Sequence, residues 1–205
     1  MFEQIKRIKK YAAIRHRKDT PKKKVYLHKE DGIYYLSRYV RKAGLEKVSL
    51  SKRNFVKCYW KYKNGDERAL RKIDELYLSA VEDFVISNNL SGDILITCIP
   101  RSNGGVNALY HTVMTVSTYA DIKGVRIHNG SWVLRRTEKI VPIHKGNSYS
   151  KERRKETLTV EKLPACDAVL VLDDVVKTGN TFRAAKELLL EAGARQVDCL
   201  CLFKV

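Results

Sequence analysis

The sequence lacks any apolar run near the ~20 residues that a membrane-spanning helix requires. Its first residues carry charge but no apolar stretch of the signal-peptide kind and no acyl-anchor motif, so neither export nor a membrane partner is expected. No Cys-x-x-Cys occurs, which argues against a structural zinc site. The five cysteines are Cys58, Cys98, Cys166, Cys199 and Cys201. Odd in number and scattered through apolar, strand-like segments, they read as reduced thiols in a cytoplasmic protein. No Gly-x-x-x-x-Gly-Lys-Ser/Thr is present, which removes a Walker-type nucleotide loop. Acidic residues are scarce at one end only. Residues 1–63 hold 20 Lys/Arg against 5 Asp/Glu, and residues 64–205 hold 20 against 18, so most of the net charge of +17 belongs to the N-terminal third. Such a field suits nucleic acid, a phosphorylated substrate or an acidic partner, and also serves solubility.

At 205 residues the chain suits one large domain, or a domain with an appendage. Phe2, Ile5, Ile8 and Ala12 fall on one face of a basic helix over 2–18, which either docks on the domain or meets nucleic acid or a membrane surface. Thr20 and Pro21 end it, and Lys22-Lys23-Lys24 follow. Val25 to Leu27 and Ile33 to Leu36 are strand candidates around a Lys-Glu-Asp-Gly turn. Tyr34, Tyr35, Tyr39, Tyr59, Trp60 and Tyr62 make this basic region aromatic, suited to stacking nucleobases, to forming a small core or to covering an active site. Leu70, Ile73, Leu76, Tyr77, Ala80, Val81 and Phe84 give one apolar face to a helix from Asp66 to about Asn89.

Two strand–loop–helix units come next. Asp93 to Ile99 is a strand leading into Pro100-Arg101-Ser102-Asn103-Gly104-Gly105 and a helix over about 106–120; the loop either offers Arg101 to an anion or simply connects. Short β-like pieces cover 124–134, and a long polar segment runs from Arg135 to near Val160, of the kind that is usually functional or mobile. Val169 to Thr181 then reads Val-Leu-Val-Leu-Asp-Asp-Val-Val-Lys-Thr-Gly-Asn-Thr. Four apolar residues suit a strand buried on both faces. Ala185, Leu188, Leu189 and Ala192 mark a helix beyond the turn, with Gly193 as its stop. The turn therefore sits at a helix N-terminus that favours an anion, and Asp173 and Asp174 at the C-terminal edge of the strand accept hydrogen bonds from hydroxyls or hold a hydrated cation. A sugar phosphate satisfies both halves. The bland alternative is a buried strand whose Asp pair caps the next helix.

This stretch resembles the signature of type I phosphoribosyltransferases for binding phosphoribosyl pyrophosphate (PRPP): an apolar strand, two acids, two aliphatics and a Thr-Gly-x-Thr loop. The resemblance implies an α/β fold with a mostly parallel sheet flanked by helices. It implies that Asp173 and Asp174 hold the ribose hydroxyls and, through water, Mg²⁺. Lys177, Thr178, Gly179, Asn180 and Thr181 would surround the 5'-phosphate. Arg101, Ser102 and Asn103 match the loop that binds pyrophosphate. In the family a flexible loop closes over PRPP, and here its residue is to be sought among Arg135, Arg136, Lys145, Lys151 and Arg153. Lys177 stands where members carry a small residue or, in the hypoxanthine–guanine enzymes, an Asp.

Lys61-Tyr62-Lys63-Asn64-Gly65-Asp66, Leu134-Arg135-Arg136-Thr137 and Lys151-Glu152-Arg153-Arg154 look like patterns of the ComF competence-protein branch, over roughly residues 57–205. The branch's cysteine zinc module is missing, and Glu156 stands where it carries Asn. The chain stops at Val205 soon after the strand Val197 to Phe203, leaving no extension over an acceptor base. Hypoxanthine–guanine enzymes of this family use one, so the expectation points away from them. Residues 1–65 would then form a basic, aromatic hood or accessory region on a core of 66–205. The expected activity is displacement of pyrophosphate from C1' of PRPP by a nitrogen nucleophile. The alternatives are a regulatory, nucleic-acid-binding relative of the ComF kind and a PRPP sensor. A homodimer suits the fold.

Overall fold

A computed structural model describes residues 25–102, 107–138 and 150–205. The basic helix expected over 2–18, the Lys22–Lys24 run, Asn103 and Lys145 lie outside the described residues. Along the chain come β1 (His28–Glu30), β2 (Ile33–Arg38), α1 (Leu50–Lys63), α2 (Glu67–Ser87), β3 (Gly92–Cys98), α3 (Ala108–Tyr119), β4 (Val125–Asn129), β5 (Leu134–Arg136), α4 (Lys151–Glu156), β6 (Leu158–Val160), β7 (Ala168–Val176), α5 (Asn180–Glu191) and β8 (Val197–Lys204). The main sheet has the order β1-β2-β8-β7-β3-β4. All of its pairings are parallel except the β1–β2 hairpin.

Each central strand is buried on both faces, which is why β3, β7 and β8 read as near-continuous apolar runs. Alternate side chains serve two cores. Ile94, Ile96, Cys98, Leu170, Leu172, Leu200 and Leu202 pack under α1, α2 and α3 with Val56, Tyr62, Ile73, Tyr77 and Phe84. Leu95, Val169, Val171, Val197, Cys199 and Cys201 face the other way, onto Phe182, Ala185 and Leu189 of α5. All five cysteines are free thiols, and burial raises those of Cys98, Cys199 and Cys201.

Two expectations need correction. The first strand is His28–Glu30, not Val25 to Leu27. Asp31 and Gly32 both take positive φ, 52° and 74°, in a two-residue turn that pairs Glu30 directly with Ile33 and so sets the register. Secondly, the described parts of the polar segment from Arg135 to Val160 hold regular structure. β5 and β6 pair antiparallel, and α4 lies against α5 through Lys151–Glu187 and Lys155–Glu191 ion pairs. Leu134 and Leu158 anchor this arm in the second core. The described part of residues 1–65 adds to the main sheet and its core. β2 pairs with β8, and Val56, Tyr59 and Tyr62 of α1 share a core with Leu172 and Leu202.

Candidate active site

A cleft of about 610 Å³ opens where β3 and β7 end. This is the edge at which ligands bind in open α/β sheets. Asp173 and Asp174 form its floor, and Lys177, Thr178, Gly179, Asn180 and Thr181 its rim. β7 continues through the acidic pair to Val176, with Asp173 beside Cys201 and Val176 beside Lys204. The two carboxylates thus stand on paired backbone, not on a loose strand end. Tyr77, fully buried on α2, donates its hydroxyl proton to the Asp173 carbonyl. The Asp174 N–H donates to Asp173 Oδ1 at 2.8 Å.

The two acids have different environments. Burial, and then the neighbouring Asp174 carboxylate, push Asp173 up to about 8. Asp174 accepts instead from Lys63 Nζ at the end of α1. The pH consequence has a definite sign. Folded Asp173 keeps its proton where the unfolded side chain has lost it, so its contribution to stability falls as pH rises from about 4 to about 8 and then levels. An Asp173→Asn variant keeps the acceptor oxygen for the Asp174 N–H and removes the titration. Melting temperatures across pH 4–8 should fall less steeply for Asp173→Asn than for wild type; parallel curves would dismiss Asp173 as the group responsible.

The rim follows from one glycine. Gly179 is the N-cap of α5 at φ 75°, a conformation L side chains rarely adopt, and it turns the chain into the helix. Phe182 is buried in the first turn and pins the helix start. Arg183 Nη1 donates to the Thr178 carbonyl at 3.0 Å and to Asn180 Oδ1 at 2.9 Å, bracing the loop from outside. The N-terminus of α5 is therefore aimed at the cleft, with the partial positive charge that suits a phosphate.

The opposite wall is cationic. Arg136 on β5 donates to Thr157 Oγ1 at 2.6 Å and to the Pro100 carbonyl at 3.4 Å, and its Nε is buried with no hydrogen-bond partner among the described residues. Burial, and then the Arg154 guanidinium, lower Arg136 to about 10. Arg154, buried on α4, lines the same cleft. Two desolvated guanidiniums side by side form a site an anion would complete. Arg101 and Ser102 line the cleft after β3. Asn107 caps α3 and donates to the Ile99 carbonyl at 2.8 Å, which holds that loop's return.

Of the arm residues put forward from sequence, Arg136 faces the cleft. Arg135 is exposed and does not line it. Lys151 pairs with Glu187 at 2.7 Å, and Arg153 with Glu138 at 2.5 Å and Glu156 at 2.8 Å. Arg154 carries no sequence signal that separates it from Arg153. Tyr39, Arg41, Tyr59 and Lys63 also line the cleft, bringing the aromatic N-terminal third to its edge.

The acidic pair as it stands does not suit a resident divalent cation. Mg²⁺ wants ionised carboxylate oxygens with room for its waters. An oxygen of Asp174 is already taken by the Lys63 ammonium, which holds a positive charge at the place a cation would occupy. Among the described residues no three His, Cys, Asp or Glu side chains gather to hold a metal, and no described helix is long and apolar enough to cross a membrane.

Residues 130–205 match the phosphoribosyl transferase domain family. Among curated proteins, the hypoxanthine/guanine phosphoribosyltransferase of Methanocaldococcus infernus is 35% identical over 94 residues, which is 46% of this chain and 48% of that protein. The protein of the same name from Methanothermococcus okinawensis is 33% identical over 90 residues, 44% of this chain and 45% of its own length. The chain thus spans about half the length of these relatives. They bear the hypoxanthine/guanine name that the sequence expectation set aside, and not that of the ComF branch. Adenine phosphoribosyltransferase from Saccharomyces cerevisiae superposes with a TM-score of 0.43 at 16% identity, covering 68% of this chain and 70% of that one.

Proposed function

We propose that the protein is a PRPP-dependent phosphoribosyltransferase that joins C1' of PRPP to a ring nitrogen of a purine base and releases pyrophosphate. The observation that carries this is the convergence of three unlike subsites in one cleft: an acidic floor, a helix N-terminus and an arginine wall. They correspond in order to ribose hydroxyls, 5'-phosphate and pyrophosphate. The match over residues 130–205 and the names of the curated relatives support the reading, and those names favour hypoxanthine or guanine as the acceptor.

In this reading Asp174, and Asp173 through its carbonyl-braced backbone, orient the ribose. The first turn of α5 and the Thr178 and Thr181 hydroxyls fix the 5'-phosphate. As the C1'–O bond breaks, negative charge grows on the departing pyrophosphate, and the Arg136 and Arg154 guanidiniums, with Arg101, stabilise it in place. Both electrons of the breaking bond leave with pyrophosphate, and the base nitrogen supplies the pair for the new bond. Mg²⁺ belongs in this scheme as the counter-ion that accompanies PRPP. Tyr39 and Tyr59 give the acceptor side aromatic surface, which is the hood role for residues 1–65 in reduced form.

The test is direct. Pyrophosphate and a nucleoside monophosphate should appear together when PRPP, Mg²⁺ and hypoxanthine or guanine are supplied. The Asp173→Asn/Asp174→Asn variant should need about ten- to a hundredfold more PRPP, as befits lost hydrogen bonds to a charged acceptor. Lack of product with every purine base tried, alongside salt-sensitive DNA binding, would move the protein to the regulatory, ComF-like reading. That second reading draws on α1, which carries five Lys/Arg and no acidic residue, with Lys57 and Lys61 exposed.

A further inference from the structure

We infer that Lys63 is a built-in cation of the acidic floor, holding the position at Asp174 that a resident divalent metal would otherwise take. The inference rests on the phosphoribosyltransferase reading for its meaning, and on the geometry for its substance. Lys63 is the last residue of α1, 111 positions before Asp174 in the chain, yet its ammonium bonds Asp174 Oδ2 inside the cleft. Its side chain is 36% exposed and that of Asp174 15%, so the contact sits at the mouth of the floor, not in the core.

The helix end is placed firmly. Tyr62 is fully buried and its hydroxyl meets Thr112 Oγ1 at 3.1 Å. Thr112 in turn donates to buried Asp74 at 2.7 Å, which ties α1 to α2 and α3. Gly65, at φ 79°, closes the turn out of α1, with its N–H on the Tyr62 carbonyl at 3.0 Å. Tyr59 lies beneath, its ring centroid 5.8 Å from Lys63 Nζ. A long side chain launched from so rigid a base loses less freedom on pairing than an ordinary surface lysine does.

The charge balance shows what the contact does. The Lys63 ammonium lies on one carboxylate of the pair, and the second acid is its chain neighbour on the same cleft floor. A cation approaching Asp174 from solvent meets an ammonium already on Oδ2 and one unit less negative charge than the bare pair would present. With Lys63 removed, two adjacent acids lie open at a sheet edge and a divalent ion gains both oxygen ligands and attraction. A mere helix-end lysine favouring the dipole would leave metal affinity unchanged on removal.

The experiment uses the full chain with Mn²⁺ alone as the probe, followed by electron paramagnetic resonance of the free ion. Wild type should show no Mn²⁺ bound at the acidic pair. Lys63→Met should bind Mn²⁺ about tenfold or more tightly than wild type. Lys63→Arg should behave as wild type, and Lys63→Met/Asp174→Asn should lose the gain. Circular dichroism melts of each variant establish that they fold. A Lys63→Met protein that binds no more Mn²⁺ than wild type overturns the inference, as does a wild type that already holds Mn²⁺ through Asp174. PRPP binding, measured by calorimetry with Mg²⁺ on wild type, is read separately. Its absence would remove the phosphoribosyltransferase reading and leave the Mn²⁺ comparison standing.

Discussion

An Arg136→Met variant should lose about 10²–10³-fold in kcat/KM for pyrophosphate release while melting no earlier than the wild-type protein. The two halves of this prediction have one cause. Arg136 is a guanidinium taken out of water beside a second guanidinium, and its Nε has no hydrogen-bond partner among the described residues. Its lowered value means that the folded state binds this proton less tightly than the unfolded state. The destabilisation is present in full below about pH 10 and is relieved only as the pH rises beyond that toward the ordinary guanidinium range. A methionine of similar length keeps the packing and drops the charge. Thr157 loses a donor but keeps its own bond to the Arg154 carbonyl at 2.9 Å, so no buried hydroxyl is orphaned. A charge that weakens the fold is retained where it serves chemistry, and in the proposed reaction that chemistry is the departing anion. Calorimetric melts and pyrophosphate assays on the same preparation check both halves. Unchanged activity would take Arg136 out of the anion wall, and a lower melting temperature would make it a packing residue.

Gly179→Val should abolish binding of PRPP and lower stability by about 1–3 kcal/mol, a fall of about 3–10 °C in melting temperature. Two independent obstacles act at this position. Its φ of 75° is strained for any β-branched side chain. A Cβ there would also stand 2.9 Å from Ile33 Cδ1 and 3.6 Å from the Arg183 guanidinium. Ile33 is itself buried against the second core, so it has little room to retreat. Relief must come from the Lys177–Asn180 loop, which is the rim of the cleft and of the proposed phosphate site. Gly193 is the natural control. It follows α5 at φ 100° and no atom lies within 4 Å of its missing Cβ, so Gly193→Ala should carry backbone strain alone and leave PRPP binding intact. Thermal melts and PRPP calorimetry on the two variants separate the effects; retained PRPP affinity in Gly179→Val would mean that this loop does not hold the 5'-phosphate.

The parts of the molecule that could be read from residue order are those whose partners are neighbours in the chain. Val169 to Thr181 presents a strand, an acidic pair, a turn and a helix start in sequence, and each is declared by local chemistry: unbroken apolar burial, two carboxylates, Thr-Gly, and then a 3.6-residue period. The helix over Glu67–Ser87 was legible for the same reason, with Asp66 as its N-cap. Even here the boundary moved. β7 runs through Asp173 and Asp174 because β8 lies alongside and pairs with it, and that partner is invisible locally.

The electrostatics of the cleft were not legible. Lys63 meets Asp174 because α1 packs over the sheet that β7 threads, and nothing in Lys61-Tyr62-Lys63 announces a carboxylate 111 residues away. Arg153 and Arg154 are adjacent and chemically alike, yet about 100° of helix rotation sends one to Glu156 at the surface and the other into the cleft. α4 has six residues, too few for a hydrophobic period to say which side is inward. Local pattern thus determined the strand, the cradle and the kind of ligand they suit, because propensity and turn chemistry act over a few residues. Which charges confront that ligand was decided by strand order and helix packing, because Coulomb and desolvation energies depend on distance in space and not along the chain.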